Sequence, residues 1–282
     1  MLRIIELDSW SHFEKIIEKS LLEGTRELRA GPSVYRGHAN AAWHLETTLE
    51  RAIGLDQPVS AYFRNIERIQ LQIETFVDRN LDFPTEQDYA NSVMAHALYN
   101  KSVITYLQYL RHFGYPSPLL DWSYSPFVAA YFAFRDVTNK AESVAIYELL
   151  VAGDMGQLPI EERARIYPVY ASARRNKRHY LQQSFYTVCY KKINGDVHYA
   201  SHEDPSAMGE KNGYSGEPII KYILPAGERV KALHSLEAYN INSYSLMGTE
   251  ESLLETLFLQ AYKSREISRN ILTDQFNENS WW

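Results

Sequence analysis

Tyr35-Arg36-Gly37-His38 is the first stretch of the chain that could do chemistry. An arginine leaving a short strand, with glycine behind it, presents a planar fork of donors to whatever enters beside it. A pyrophosphate is the best match to that fork. An arginine held in a surface ion pair would satisfy the same residues. The second stretch runs from His112 through Asp121, Trp122 and Ser123 to Pro126. Its Gly, Pro and Ser content demands a tight, specified path between two helices, and it leaves Asp121 and Ser123 at a helix mouth. Polar groups there can converge on a ligand, or they can cap the following helix, which accounts for Ser125 better than for Asp121. The third stretch is Arg178 to Phe185, whose Gln182 and Gln183 can donate and accept hydrogen bonds but cannot act as bases. Its distant companion is Asn240 to Leu253.

Two other groupings carry less. His198 and His202 stand four apart beside Glu203 and Asp204, but in a loop that spacing sets no metal geometry, so no metal is expected. Cys189 sits in an apolar strand pattern and reads as a small buried hydrophobe rather than a nucleophile.

These residues need elements to hold them. Ser11 to Glu14 reads as a capping box, opening a helix with Phe13, Ile16, Ile17 and Leu21 on one face and Gly24 as its stop. Ser33 to His38 reads as a strand. Val59 to Val77 spaces Phe63, Ile66, Ile73 and Phe76 as an amphipathic helix. A further helical stretch runs from about Glu86 to Phe113, broken near Asn100. Ser125-Pro126 is a helix start, and the run Phe127 to Phe134 is apolar all round, so that helix should be buried. Strands are expected at Ser143 to Leu150, Ser184 to Tyr190, Pro218 to Leu224 and Arg229 to Leu233. Asn194 to Glu217 reads as a long loop. Thr249 should cap a last helix with Leu253, Leu254, Leu257, Phe258 and Ala261 inward.

The whole chain, 282 residues, reads as one α+β unit: a helical first part at about 10–113, a β-rich part at about 114–262 and a short tail at 263–282. A hydrophobic share of 45% and a charged share of 23% suit a folded chain with its own core. No run approaches the roughly 20 apolar residues of a membrane span. The opening MLRIIELDSW carries acids where an export signal needs an apolar stretch, so the cytoplasm is the simplest location. One cysteine excludes an internal disulfide. A net charge of −6 argues against a general nucleic-acid coat, yet Arg163 to Lys192 holds eight basic residues and no Asp or Glu. Arg174, Arg175, Lys177 and Arg178 are its densest part, and Tyr167, Tyr170, His179, Tyr180, Phe185, Tyr186 and Tyr190 are interleaved. Basic groups along phosphates and aromatics against bases are what a single strand requires, so RNA or DNA is the preferred acceptor, with RNA ahead. A solvated loop answering the acidic remainder is the plain alternative.

The pieces Tyr35-Arg36-Gly37, His112-Phe113-Gly114, Leu119 to Ser123, Arg178 to Phe185 and Asn240 to Leu254 together resemble the FRG domain, over about residues 30–260. The departures are Ser184, where that family has glycine, and Met247 to Ser252, where it has an acidic string. The resemblance implies an ADP-ribosyltransferase-like fold, a split β-sandwich around an NAD cleft with helices packed on it. It also implies NAD as co-substrate without a metal, and a place among bacterial toxins of antiphage or toxin–antitoxin systems, with an antitoxin protein as a possible partner. In that frame Arg36, Gly37, His38, Asp121, Ser123 and Tyr131 would bind NAD, with Tyr131 stacking on nicotinamide. Glu251 would be the catalytic acid alongside Arg36, and Arg174, Arg175, Lys177, Gln182 and Gln183 would meet the acceptor. A first-turn carboxylate favoured by the helix dipole explains Glu251 equally well. A protein acceptor, or a nucleotide-binding module without turnover, are the rival readings.

Overall fold

A computed structural model describes residues 2–23, 32–55, 57–76, 83–89, 100–137, 141–151, 159–169, 177–204 and 219–261. The strands are β1 (Arg3–Glu6), β2 (Ser33–His38), β3 (Leu120–Ser123), β4 (Ser143–Leu150), β5 (Arg165–Val169), β6 (Ser184–Ile193), β7 (Asp196–Tyr199) and β8 (Ile219–Pro225). They join in one mixed sheet ordered β1-β8-β4-β2-β3-β6-β5, with β7 added on β6. Only the β1–β8 pair is parallel among these strands. The fold is therefore mixed α+β, with the expected strand β2 drawn from the mainly helical first part and β1 lying ahead of it.

The sheet has a seam. β2 pairs with β4 at six positions and β3 with β6 at four, but β2 and β3 share one, Tyr35 opposite Ser123. On one face, Val34, Leu120, Trp122, Tyr147, Phe185 and Cys189 form a continuous apolar layer. Trp122 is fastened within it, its Nε1 donating to Thr187 Oγ1 at 2.8 Å, with His202 Nε2 2.9 Å from that same oxygen. The other face is covered in two halves. Helix α1 (Trp10–Glu23) and the apolar α5 (Pro126–Arg135) lie over β2, β4 and β8, with Trp10, Phe13, Phe134 and Tyr222 at the centre. Helices α3 (Val59–Phe76) and α4 (Lys101–His112) lie over β5, β6 and β7, and there Tyr62, Tyr167, Tyr190 and Tyr199 are buried. Between them stands the short α2 (Thr48–Ile53), opened by a Thr47–Glu50 capping box.

Capping decides several boundaries. Asn100 takes the amides of Ser102 and Val103 and so starts α4 afresh, which is the expected break near that residue. Ser125 accepts from Val128 N and Pro126 occupies the first turn of α5. The sheet side of α5 is unusually close. A Cβ on Gly37 would stand 1.9 Å from the Ala129 carbonyl oxygen and 2.7 Å from Ala133 N, so the helix backbone rests directly on β2.

Three expectations change. Arg229 to Leu233 is not a strand: it begins helix α7 (Arg229–Ala238), whose buried residues Ala232 and Leu236 keep helical spacing. The loop expected at Asn194 to Glu217 contains β7, paired to β6 around the Asn194-Gly195 turn, where both residues have positive φ; residues 205–218 lie outside the described residues. The last helix, residues 250–261, docks by its polar face. Ser252 and Thr256 are buried while Leu254, Leu257 and Phe258 are exposed. The reason is specific bonding: Thr256 Oγ1 accepts from Tyr244 N at 3.0 Å, and Glu255 accepts from Ser243 Oγ at 2.6 Å and from Arg135 Nε at 3.1 Å. No helix among the described residues is long and apolar enough to cross a membrane.

Candidate functional site

The seam between β2 and β3 opens into a cleft of about 700 Å³. β2 contributes Tyr35 to His38, β3 contributes Asp121 to Ser123, and α5 forms a wall through Ala129 and Phe132, with Asp136 capping its C-terminal end beside them. Trp43, Thr48 and Arg51 close the side towards α2, Arg111 and His112 come from the end of α4, and Gln182, Ser184 and Tyr186 line the β6 side.

Arg36 stands at the parting of the strands. Its Nη1 donates to the Asp121 carbonyl oxygen at 2.8 Å and lies 3.1 Å from Asp121 Oδ2, while Nε donates to His38 Nε2 at 3.1 Å. The guanidinium thus occupies the place where a continued ladder would close the sheet. His38 must be neutral to accept that bond. Burial, reinforced by the Arg36 charge, pushes its pKa down to about 3. Burial also lowers the Arg36 pKa from its ordinary value, and Asp121 works in the opposite direction.

Asp121 holds a second arginine. Arg111 Nη2 pairs with Asp121 Oδ1, and Arg111 Nη1 donates to Thr48 Oγ1 at 3.1 Å. Thr48 Oγ1 also accepts from Ser117 N at 2.9 Å, so the bend between α4 and β3 is tied to the first turn of α2. Burial alone would raise the Asp121 carboxyl, but Arg111 and Arg36 outweigh it and hold the group well below the usual carboxylate range. Arg51, on the outer side, donates from Nη1 to the Glu46 carbonyl at 3.1 Å. Three guanidiniums therefore face the cleft against two carboxylates, Asp121 and Asp136, and Asp121 is bound up with two of the three.

The residues singled out in the sequence fall into three groups. Arg36, Gly37, His38, Asp121, Ser123 and Gln182 line the cleft. Ser123 and Gln182 have structural bonds besides: Ser123 Oγ donates to the Gln182 carbonyl at 2.7 Å, and Gln182 Nε2 donates to Leu246 O at 3.2 Å. The side-chain amide of Gln182 is thus turned to helix α8 (Ser243–Met247), joining the third and fourth sequence stretches. Tyr131 does not line the cleft. It is 4% exposed in the core beneath α5, and its neighbour Phe132 lines the cleft instead. Gln183 is exposed in the left-handed region, φ 49°, making the turn into β6. Lys177 is exposed at the start of α6 (Lys177–Leu181), while Arg174 and Arg175 lie outside the described residues.

Glu251 lies on the exposed first turn of the last helix and is not among the residues lining the cleft. Its carboxyl is held below the ordinary value by a backbone amide and by Thr249, with Arg178 adding to the effect. The aromatic interleaving of the basic stretch has a different meaning from the one expected. Tyr167, Tyr186 and Tyr190 lie on one covered face of the sheet and Phe185 on the other, so all four are buried, whereas Tyr180 is 84% exposed. Arg165 is paired with Glu161 at 2.7 Å and Lys191 lies 3.8 Å from Asp204.

Nothing in the sequence singles out Arg111 or Thr48 for the cleft, whereas Trp43 and Arg51 follow the Tyr35 to His38 stretch and line it with that stretch. Arg111 precedes His112 in a helix whose pattern gives it no distinction, and only the α4–β3 bend turns it onto Asp121. Of the His198–Asp204 grouping, two members have other partners: His202 meets Thr187, and Glu203 accepts from Leu45 N at 2.9 Å and lies 2.7 Å from His44 Nδ1. Among the described residues, no group of three or more His, Cys, Asp or Glu is placed to hold a metal ion. Burial pushes the Cys189 thiol up, away from a reactive thiolate.

No curated protein and no solved structure matches the chain. The family model of the FRG domain matches residues 31–142, which hold β2, α2, α3, α4, β3 and α5 with Arg36, Arg51, Arg111, Asp121 and Ser123. Gln182 and Glu251 fall beyond the matched part. By that match the protein carries an FRG domain.

Proposed function

We propose that the protein is an NAD-dependent ADP-ribosyltransferase whose dinucleotide lies in the cleft between β2 and β3. The observation that carries this reading is the guanidinium of Arg36 at the parting of those strands, with Arg111 and Arg51 beside it. The donor set fits the group. Three arginines can meet a diphosphate through forked, charge-assisted bonds, and Trp43 and Phe132 supply aromatic surface for the rings at either end. A volume of about 700 Å³ is in the range of small-molecule sites. A sheet that parts at a single shared position is also compatible with the finer expectation of a split β-sandwich.

In this reading Arg36 and Arg51 bind the diphosphate, and Asp121 keeps Arg36 and Arg111 in place. His38 orients the Arg36 fork by accepting from Nε while carrying no charge of its own. NAD supplies an activated glycosidic bond, which breaks through a state with positive charge on the ribose. The acceptor is nucleic acid, with RNA favoured; exposed Lys177 and Tyr180 on α6, just before Gln182, are the groups that support it. A role as a toxin of an antiphage or toxin–antitoxin system, with an antitoxin partner, belongs to the same proposal and rests on the family resemblance.

A nucleotide-binding module without turnover is favoured by one observation: Glu251 does not line the cleft, and Asp121 is held by two arginines. Incubation of the pure protein with labelled NAD and with RNA, DNA or protein acceptors tests the two. The transferase reading expects labelled acceptor and released nicotinamide. Bound but unconsumed NAD supports the module.

A further inference from the structure

Tyr186 lines the cleft on β6 directly opposite Asp121 in the ladder, and its hydroxyl lies 2.9 Å from His179 Nε2. His179 is buried behind it on α6, 8% exposed, and its Nδ1 has no hydrogen-bond partner among the described residues. Either group can donate in that pair; with the tyrosine hydroxyl as donor, the ring proton stands on Nδ1 and the phenol oxygen keeps acceptor capacity towards the cleft, beside its contact with Ser184. In that tautomer a base stands one hydrogen bond back from the cleft, with the phenol of Tyr186 between them. The family match ends before both residues, and nothing in the account of the diphosphate uses either.

Resting on the transferase reading, we propose that Tyr186 and His179 form the proton-accepting pair of this cleft for a hydroxyl-bearing acceptor. As the bond from the acceptor oxygen to the ribose carbon forms, the bond from that carbon to the nicotinamide nitrogen breaks, and its electron pair leaves with neutral nicotinamide. The acceptor proton passes to Tyr186 Oη while the tyrosine proton passes to His179 Nε2, so the imidazole becomes cationic and the phenol is regenerated. His179 then returns the proton to solvent by the reverse path once product leaves. Burial, and secondarily His112, lower the His179 pKa, so the ring is neutral and able to accept through the neutral range. Burial raises the Tyr186 pKa, so the phenol stays protonated and acts as a conduit.

The test compares wild type, Tyr186→Phe and His179→Gln. The glutamine keeps an acceptor for the tyrosine hydroxyl but cannot take a proton. Both variants should bind NAD within about threefold of wild type and lose transfer by about a hundredfold or more, the usual size of a general-base contribution. Wild-type transfer should fall as pH drops through the His179 pKa, and His179→Gln should lack that limb. A second readout needs no turnover: the nitrogen resonances of His179 should show the Nδ1-protonated form, with the Nε2 signal displaced in Tyr186→Phe. If His179→Gln fails to fold, Tyr186→Phe and the nitrogen spectrum decide alone. Wild-type transfer rates with an unchanged pH profile in Tyr186→Phe would overturn the relay and leave the transferase reading standing. A wild-type protein that consumes no NAD with any acceptor would overturn that reading, and the relay with it.

Discussion

Arg36 Nη1 lies 2.8 Å from the carbonyl oxygen of Asp121 and 3.1 Å from its carboxylate, so one guanidinium bonds both the backbone and the side chain of the facing strand. The contact lies just past Tyr35 and Ser123, the one position that β2 and β3 share. It both ends the pairing of the two strands and presents a charge to the space where they part.

Replacing Asp121 should destabilise the fold through repulsion between Arg36 and Arg111. Breaking a buried pair typically costs about 3–5 kcal/mol, and the partial exposure of Asp121 reduces the expectation for Asp121→Asn to about 1–3 kcal/mol at neutral pH. The sign with pH follows from a folded-state pKa held down. The stabilisation is fully present above the ordinary carboxylate value of about 4 and is lost as pH falls below it towards the folded value. Urea unfolding from pH 7 to pH 2 should show the gap between wild type and Asp121→Asn closing over that interval.

Gly37→Ala should be much worse than a surface change. The new Cβ meets backbone atoms of Ala129 and Ala133, which cannot turn aside as a side chain would. A loss of about 3 kcal/mol or more is expected, with α5 lifted from β2 and the cleft wall displaced. The urea midpoint and NAD affinity of the same preparation should fall together. Wild-type stability in Gly37→Ala would contradict the close seating of α5.

Much of this frame was legible in the chain because it depends on local chemistry. Ser125-Pro126, Asn100 and the Ser33 to His38 pattern each mark a boundary by capping or by alternation. The parts that were not legible depend on long-range pairing. β5 is absent from the strands expected in the sequence; it carries Pro168 within it, which suits its place at the sheet edge, paired among the described residues with β6. The last helix was read inside out because Leu254, Leu257 and Phe258 form a clean apolar stripe, while Thr256 and Glu255 bind particular partners that no periodicity reveals. Arg111 is likewise silent in sequence, since its role comes from the bend that brings α4 against β3. Tyr131 and Phe132 are adjacent on α5, and only the packing of that helix decides which of them meets the cleft.

Glu251 can be separated from the cleft chemistry by one variant. Being exposed and outside the lining, Glu251→Gln should keep turnover close to wild type and cost at most about 1 kcal/mol, the ordinary value of a first-turn charge. Melting temperature and nicotinamide release measured together check this. A fall of several orders of magnitude in release with NAD still bound would return the catalytic acid to Glu251.

Arg51 offers the gentlest probe of the anion site, since it bonds the Glu46 carbonyl and its removal disturbs no carboxylate pair among the described residues. Arg51→Ala should leave the urea midpoint unchanged and weaken NAD binding about tenfold, the low end for losing a charge-assisted hydrogen bond. Calorimetric titration of NAD into the two proteins measures both the affinity and the loss.

The central claim is that Arg36 holds NAD in the cleft between β2 and β3, and titration of NAD into wild type and Arg36→Lys tests it most directly. Lysine keeps a positive charge beside Asp121 but lacks the planar fork. The account predicts saturable binding by wild type and at least about a tenfold weaker affinity in Arg36→Lys, with the fold unchanged by circular dichroism. Equal affinity in the two proteins, or no binding of NAD by wild type, would contradict it.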